Sequence, residues 1–394
     1  MSPPIASPAA ARVRTWATVD LDALAHNVRT IRGVLPETAA FMAVVKADAY
    51  GHGAVAVAEA AIDAGAAWLG VATPEEAVQL RAAGIRTAVL ILGPTPAAAL
   101  PQVVAAGCSV TVTDLRALET ITRMADGHPR VHIKVDTGMT RLGVTAEDLP
   151  ALLDAVDPGR VEVEGVWTHL ACADEPDPSL MYEQLAVFGD AARLVRTRFP
   201  AAIRHAASSA AALGWPEAAL DLVRVGISMY GVPPAPHLAA LPLRPVMTVS
   251  SRVVRARRVA AGTPVSYGAT YRARASTTIV TVPVGYADGY PRALSNVGHM
   301  LLAGRRVPVA GRVCMDFTML DAGDVRVADD DEVTVFGPAL PVTEVAAAAG
   351  TVPYELLCRV GPRVPRLYLR AGAPEASPRR APATRDGSLG PSRR

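Results

Sequence analysis

The chain has 394 residues, is 51% hydrophobic and carries a formal net charge of +2; it can bury a large core in two or three domains, and its charge makes no case for a nucleic-acid partner. Charges such as Glu59 and Asp63 interrupt the apolar runs, so no segment of about twenty residues is predicted to span a membrane, and residues 1–8 (MSPPIASP) lack the basic and apolar parts of a secretory signal, which points to a cytoplasmic protein. The four cysteines, Cys108, Cys172, Cys314 and Cys358, form no Cys-x-x-Cys pair, which argues against a disulfide framework and against a zinc site.

In chain order, residues 1–11 read as a disordered tail. Residues 15–21 (TWATVDL) then read as an additional strand, a candidate to pair with a later domain, and the helix after it carries Leu24, Val28, Ile31 and Leu35 on one face. From residue 41 to residue 228, eight short apolar strands alternate with helical stretches: 41–47 (FMAVVKA), 66–72 (AAWLGVA), 87–93 (TAVLILG), 108–113 (CSVTVT), 131–137 (VHIKVDT), 161–170 (VEVEGVWTHL), 203–208 (IRHAAS) and 222–228 (LVRVGIS). Between two of them, Thr73 as a cap, Pro74 in the first turn and early acids mark a helix that closes near Gly84. Eight such units predict a closed (β/α)8 TIM barrel over residues 12–242, with an open doubly wound sheet as the alternative. After the proline-rich residues 231–237 the helical period vanishes. Strand-like runs at 247–259, 276–285, 301–311 and 363–369 predict a mostly antiparallel β domain over residues 243–371. Residues 372–394, basic among Pro, Ala, Ser and Gly, read as a second disordered tail.

Only two of the 39 Lys and Arg side chains are lysines, Lys46 and Lys134. A lysine amine can be neutralised by burial and can form a Schiff base with a carbonyl cofactor, whereas a guanidinium stays charged. Lys46 lies at the carboxyl end of a predicted barrel strand, which is where barrel enzymes keep their chemistry, and Lys134 lies inside a second strand that is also followed by a glycine turn. The loops after strands seven and eight, where such barrels often bind phosphate, hold Ser208 and Ser209 and then Gly226, Ile227 and Ser228. A phosphate site and an aldehyde-seeking amine in one barrel mouth suggest pyridoxal 5'-phosphate.

The motifs AVVKADAYGHG (43–53), KVDTGMTRLG (134–143), HAASSAA (205–211), VRVGISMYG (223–231), VSYGATY (265–271), PVGYADGY (283–290) and GRVCMD (311–316), in this order over both predicted domains, closely resemble the alanine racemases of the fold-type III pyridoxal-phosphate enzymes. The resemblance implies a homodimer that interconverts L- and D-alanine, supplies D-alanine for peptidoglycan, and shares each active site between subunits. Lys46 would be the Schiff-base lysine and one catalytic base; Tyr267, from the partner's second domain, would be the other. A free phenol titrates near about 10, and the family places His169 between that tyrosine and Arg224 to favour the phenolate.

Arg224 would face the pyridine nitrogen and leave it unprotonated, which disfavours side reactions; related decarboxylases place a carboxylate there. Tyr50, Ser209, Gly226 and Ile227 would hold the phosphate. Arg141 and the backbone N–H of Met315 would bind the substrate carboxylate, and Lys134 matches a lysine that many members carry carbamylated. Tyr271, Tyr286, Cys314 and Asp316 would shape the entrance.

Two positions depart from the family's pattern: Ser208 stands where asparagine is usual, and Pro362 stands where some members have a tyrosine taken to bind phosphate, which puts one phosphate contact in doubt. The alternatives are a broad-specificity or serine/lysine racemase, a decarboxylase of the same barrel type, disfavoured by Arg224, and a non-catalytic cofactor-carrying protein, disfavoured by the second domain.

Overall fold

The computed structural model describes residues 13–125 and 127–370 and the backbone of 373–375. The two expected tails otherwise lie outside the described residues. The first strand, β1 (Thr15–Asp20), leads into α1 (Leu21–Arg32), where the Asp20 carboxylate caps the helix by accepting from Ala23 N at 2.8 Å. Leu24, Val28 and Ile31 are fully buried on the inner face of α1, and the helix stops before Leu35.

Eight parallel strands follow: β2 (Ala40–Val44), β3 (Trp68–Val71), β4 (Ala88–Ile91), β5 (Ser109–Val112), β6 (Arg130–Lys134), β7 (Glu162–Trp167), β8 (Ile203–His205) and β9 (Leu222–Val225). They are ordered β8-β7-β6-β5-β4-β3-β2-β9. The last gap closes where Asp221 N donates to Arg204 O at 3.1 Å and Arg224 N donates to Ala207 O at 3.0 Å, so the sheet is a barrel and not an open sheet. The intervening segments are α2 (Lys46–Tyr50), α3 (Ala54–Asp63), α4 (Pro74–Ala82), α5 (Leu100–Ala105), α6 (Leu115–Met124), α7 (Leu149–Asp154), α8 (Ser179–Arg198) and α9 (Ser209–Gly214). Helix α4 opens with the expected Thr73 cap as a full capping box with Glu76. Part of the barrel interior is apolar, where Met42, Trp68, Leu90 and Leu222 pack together. Its other buried side chains include His132, Lys134, His205 and Arg224.

The second domain is built on β10 (Met247–Arg252), β11 (Arg255–Val259), β12 (Pro264–Val265), β13 (Tyr271–Arg272), β14 (Thr277–Val282), β15 (His299–Leu302), β16 (Arg305–Pro308), β17 (Thr318–Gly323), β18 (Glu332–Phe336), β19 (Arg366–Arg370) and β20 (Ala373–Glu375). Strand β1 sits between β10 and β19 in its seven-stranded sheet, and β1–β19 is the parallel pair in an otherwise antiparallel domain. The β15–β16 hairpin turns through Ala303 and Gly304, both at positive φ, as two-residue hairpin turns require. Two helices that the strand-like pattern did not predict, α10 (Val342–Ala348) and α11 (Pro353–Arg359), are seven residues each, too short to show a helical period.

His52, His132 and His205 are fully buried, and burial pushes each imidazole below its ordinary range, His52 to about 4. As pH falls below about 6.5 the unfolded chain takes up protons that the folded one refuses. The stability these groups confer is therefore complete above about pH 6.5 and declines as pH falls, for His52 down to about pH 4, by up to about 1.4 kcal/mol per pH unit for each histidine. Urea unfolding at pH 7, 6 and 5 should show a falling midpoint; an unchanged midpoint contradicts this assignment.

Candidate active site

Strand β2 runs out of apolar residues at Val45, and Lys46 begins an unusual turn. Ala47, Asp48, Ala49 and Tyr50 have φ of 52°, 52°, 54° and 50°, a left-handed helical turn made without glycine, which costs roughly 1–2 kcal/mol per residue. Side-chain bonds hold it in place. Ala47 N donates to Glu76 Oε1 at 2.6 Å, while Glu76 Oε2 accepts from Ala72 N at 2.7 Å, tying the turn to the start of α4. Ala54 N donates to Asp48 Oδ1 at 2.8 Å, and Arg366 Nε donates to Gly51 O at 2.9 Å. The turn returns the chain so that Lys46 and Tyr50 line the same cavity. Strain of this kind is kept where a site requires it. Glu76→Ala, which leaves the backbone donors of Ala47, Ala72 and Thr73 without this acceptor, should cost about 1–3 kcal/mol in urea unfolding; a wild-type midpoint would show that the turn does not depend on Glu76.

The cavity, about 480 Å³, opens at the carboxyl ends of the barrel strands. Lys46 follows β2, Lys134 ends β6, His169 stands just beyond β7, Ser209 follows β8, and Arg224 and Gly226 come from β9 and its end. Together with Tyr50, Arg141 and Ile227 they all line this one space. Burial and then the Arg141 charge lower the Lys46 amine below the ordinary lysine range. Lys134, 2% exposed, is pushed down to about 8 by burial and then by Arg224, and its Nζ lies 4.7 Å from the Trp167 ring centroid. Asp136 accepts from the N–H groups of Gly138, Met139 and Thr140 at 3.0–3.1 Å and so shapes the loop that carries Arg141.

Arg224 is 4% exposed. Its Nη1 donates to His205 Nδ1 at 3.1 Å and His205 O at 3.0 Å; its Nη2 donates to Thr168 O at 2.8 Å, Ala206 O at 2.9 Å and His169 Nδ1 at 3.3 Å. Among the described residues no carboxylate bonds to this guanidinium, and burial lowers it to about 9, still a cation at neutral pH. Burial and then the Arg224 charge push His169 down to about 3, so it is neutral. With Nδ1 accepting from Arg224, its proton sits on Nε2, free to donate. At the other end of the cavity, Ser209 Oγ accepts from Gly226 N at 2.9 Å and Ser228 N at 3.4 Å. A Cβ on Gly226 would come within 2.6 Å of the Tyr50 hydroxyl, so glycine is what permits that close approach.

Tyr354, on α11, also lines the cavity, its ring 6.0 Å from that of Tyr50. The sequence reading missed it and looked to Pro362 for a lost tyrosine. Pro362 is not among the lining residues, and a phenol is present at this end of the cavity after all. Burial keeps both hydroxyls protonated, with Tyr354 raised to about 12.

The second-domain candidates are not brought to this cavity within one chain. Tyr267 is 70% exposed, at a corner fixed by Ser266 Oγ donating to Arg312 O at 2.6 Å. Ser266 also lies 3.6 Å from Cys314 Sγ, and Tyr286 N donates to Cys314 O at 3.1 Å, so Tyr267, Tyr286, Cys314 and Met315 form one neighbourhood. Tyr286 and Met315 are exposed there with Phe317. Asp316 is paired with Arg363 at 2.8 Å, and the Tyr271 hydroxyl donates to Asp321.

Comparison with known proteins agrees in both halves of the chain. Residues 19–234 match the model of the alanine racemase N-terminal domain, and residues 246–368 that of the C-terminal domain. The chain belongs to the alanine racemase family. It is 42% identical over 367 residues to alanine racemase 1 of Oceanobacillus iheyensis, covering 90% of this chain and 98% of that one. It is 44% identical over 378 residues to the alanine racemase of Frankia casuarinae, covering 92% and 98%. Among solved structures, alanine racemase from D-cycloserine-producing Streptomyces lavendulae superposes with a TM-score of 0.86 at 41% identity, over 91% of this chain and 97% of that one. The Bacillus anthracis enzyme with bound L-Ala-P gives 0.87 at 35% identity, over 92% and 96%. A PLP-dependent racemase of this family is an isomerase, and among the described residues no helix is long and apolar enough to cross a membrane.

Proposed function

We propose that the protein is a cytoplasmic, homodimeric alanine racemase that uses pyridoxal 5'-phosphate to interconvert L- and D-alanine, supplying D-alanine for peptidoglycan. The observation that carries the reading is a buried cation, Arg224, bonded to no carboxylate among the described residues, in one cavity with the burial-lowered amine of Lys46.

The residues present fit the cofactor. Lys46 has the amine that a Schiff base needs. Tyr50, Ser209 and Tyr354 offer hydroxyls, and Gly226 and Ile227 a close backbone, to a phosphate. Ser208 in place of asparagine leaves the Ser209 hydroxyl available. Trp167 Nε1, buried beside Lys134 without a partner among the described residues, is a further donor for a bound group. When bound, pyridoxal phosphate supplies an electron sink conjugated to the substrate α-carbon.

The chain's own residues supply the rest. Inverting a stereocentre needs a proton removed on one face and returned on the other. The Lys46 amine serves one face and the Tyr267 hydroxyl of the partner subunit serves the other. His169, neutral with its proton on Nε2, donates to that phenolic oxygen, and the positive charge behind it belongs to Arg224. Arg224 would donate a hydrogen bond to the ring nitrogen of a bound cofactor without giving up its own proton, and so would leave the ring a weak electron sink. Arg141 and the Met315 N–H of the partner subunit hold the substrate carboxylate, and Tyr271, Tyr286, Cys314 and Asp316 frame the way in. The exposure of Tyr267, Tyr286 and Met315 supports a shared site: one chain leaves these side chains in solvent, outside its own cavity.

Lys134 is proposed to be carbamylated, since an amine titrating near 8 is partly neutral at physiological pH; an intact mass without the added carboxyl group removes this. The activity is tested by racemisation of L-alanine, L-serine and L-lysine with added pyridoxal phosphate and the absorbance spectrum recorded alongside. L-Alanine should turn over fastest, with the absorbance of a lysine-bound cofactor present. No turnover, or a preference for L-lysine, overturns the reading.

A further inference from the structure

The bonds behind Arg224 form a directed chain through the barrel interior. Because a guanidinium only donates, His205 Nδ1, 3.1 Å from Arg224 Nη1, must accept. The His205 proton is then on Nε2, which lies 2.9 Å from His132 Nδ1. That atom must accept in turn, so the His132 proton is on Nε2, 3.1 Å from Glu164 Oε2. Ser109 Oγ also donates to this carboxylate, and Arg130 lies 3.5 Å from its other oxygen. Burial would raise the Glu164 carboxyl, but the bonds from His132 and Ser109 outweigh it and hold it below its ordinary range.

Two local features make room for the chain. On β7, Gly165 stands opposite His132, and a Cβ there would overlap the His132 ring. The β6–β7 pairing also shifts register between Val131 and His132, an irregularity of the kind that re-aims a side chain.

Arg224 thus has its compensating anion three hydrogen bonds away. Both of its Nη groups are committed to protein acceptors, which leaves Nε–H as the donor without a partner among the described residues. A carboxylate in direct contact could turn the guanidinium away from the cavity, or face the cofactor ring itself. We propose that Glu164, acting through His132 and His205, is a positioning residue for Arg224: it accepts at the far end of the proton order that the guanidinium imposes, holds the two imidazoles in line, and so aims Nε–H at the ring nitrogen of the cofactor while holding negative charge at a distance. The target of that donor rests on the pyridoxal-phosphate reading; the proton order along the chain does not.

Two measurements test it. In the ¹⁵N spectrum of histidine-labelled holoenzyme, His132 and His205 should each show a bare Nδ1 and a protonated Nε2 at neutral pH; a proton on either Nδ1 overturns the proposal whether or not any variant folds. Glu164→Gln, which keeps the shape and removes the charge, should retain bound cofactor, lower kcat for alanine about tenfold, leave KM within about twofold, and move the His132 Nε2–H proton resonance upfield as its charged acceptor is lost. A folded, cofactor-loaded variant with wild-type kcat overturns it. If the wild-type protein neither binds pyridoxal phosphate nor racemises alanine, the functional reading fails instead, and the histidine spectrum still decides the proton order.

Discussion

Replacing Lys46 by alanine should abolish the absorbance of lysine-bound cofactor and lower racemisation by at least about a thousandfold, because one substitution removes both the covalent attachment and one of the two bases. The cavity holds a second lysine, so the result is informative only beside its control. Lys134 also has a lowered amine, but it lies against Trp167 at the end of β6, while Lys46 opens the strained turn whose far end, Tyr50, lies beside Gly226. Lys134→Ala should therefore keep the absorbance that Lys46→Ala loses. The reverse pattern would exchange the roles of the two lysines.

Tyr267→Phe, which deletes one oxygen, should lower turnover by about 10²- to 10⁴-fold, the usual worth of a positioned acid–base group. Both directions should suffer, since the group that takes the α-proton in one direction returns it in the other. Folding should be almost untouched: a side chain 70% exposed contributes within about 0.5 kcal/mol to a lone chain's stability. A folded variant with wild-type rates in both directions contradicts the role given to this tyrosine.

Much of this was legible in the sequence for specific reasons. The eight barrel strands stand out because parallel strands buried on both faces read as continuous apolar runs, and glycines or hydroxyls mark their carboxyl ends. The motif resemblance then named residues that the fold gathers, from Lys46 on the first barrel strand to Arg224 on the last. The left-handed turn after Lys46 was not legible, because alanine, aspartate and tyrosine give no local signal for positive φ; Glu76, Asp48 and Arg366, distant or ordinary in sequence, hold it. Tyr354 was missed because α11 is too short to show a period and lies in a domain read as all strand. His132, Glu164 and His205 were missed because polar side chains inside apolar strands look like core exceptions until the barrel closes around them. Strand periodicity did hold a usable hint: Arg130, His132 and Lys134 alternate along β6 and so share one face.

The central claim is that each active site takes Lys46 from one subunit and Tyr267 from the other. Its most direct test mixes Lys46→Ala and Tyr267→Phe proteins, each nearly inactive alone, under conditions that exchange subunits. A mixed dimer has one doubly damaged site and one intact site, so random exchange should restore about a quarter of wild-type activity. If mixed dimers form and no activity returns, the two residues do not meet across the subunit boundary.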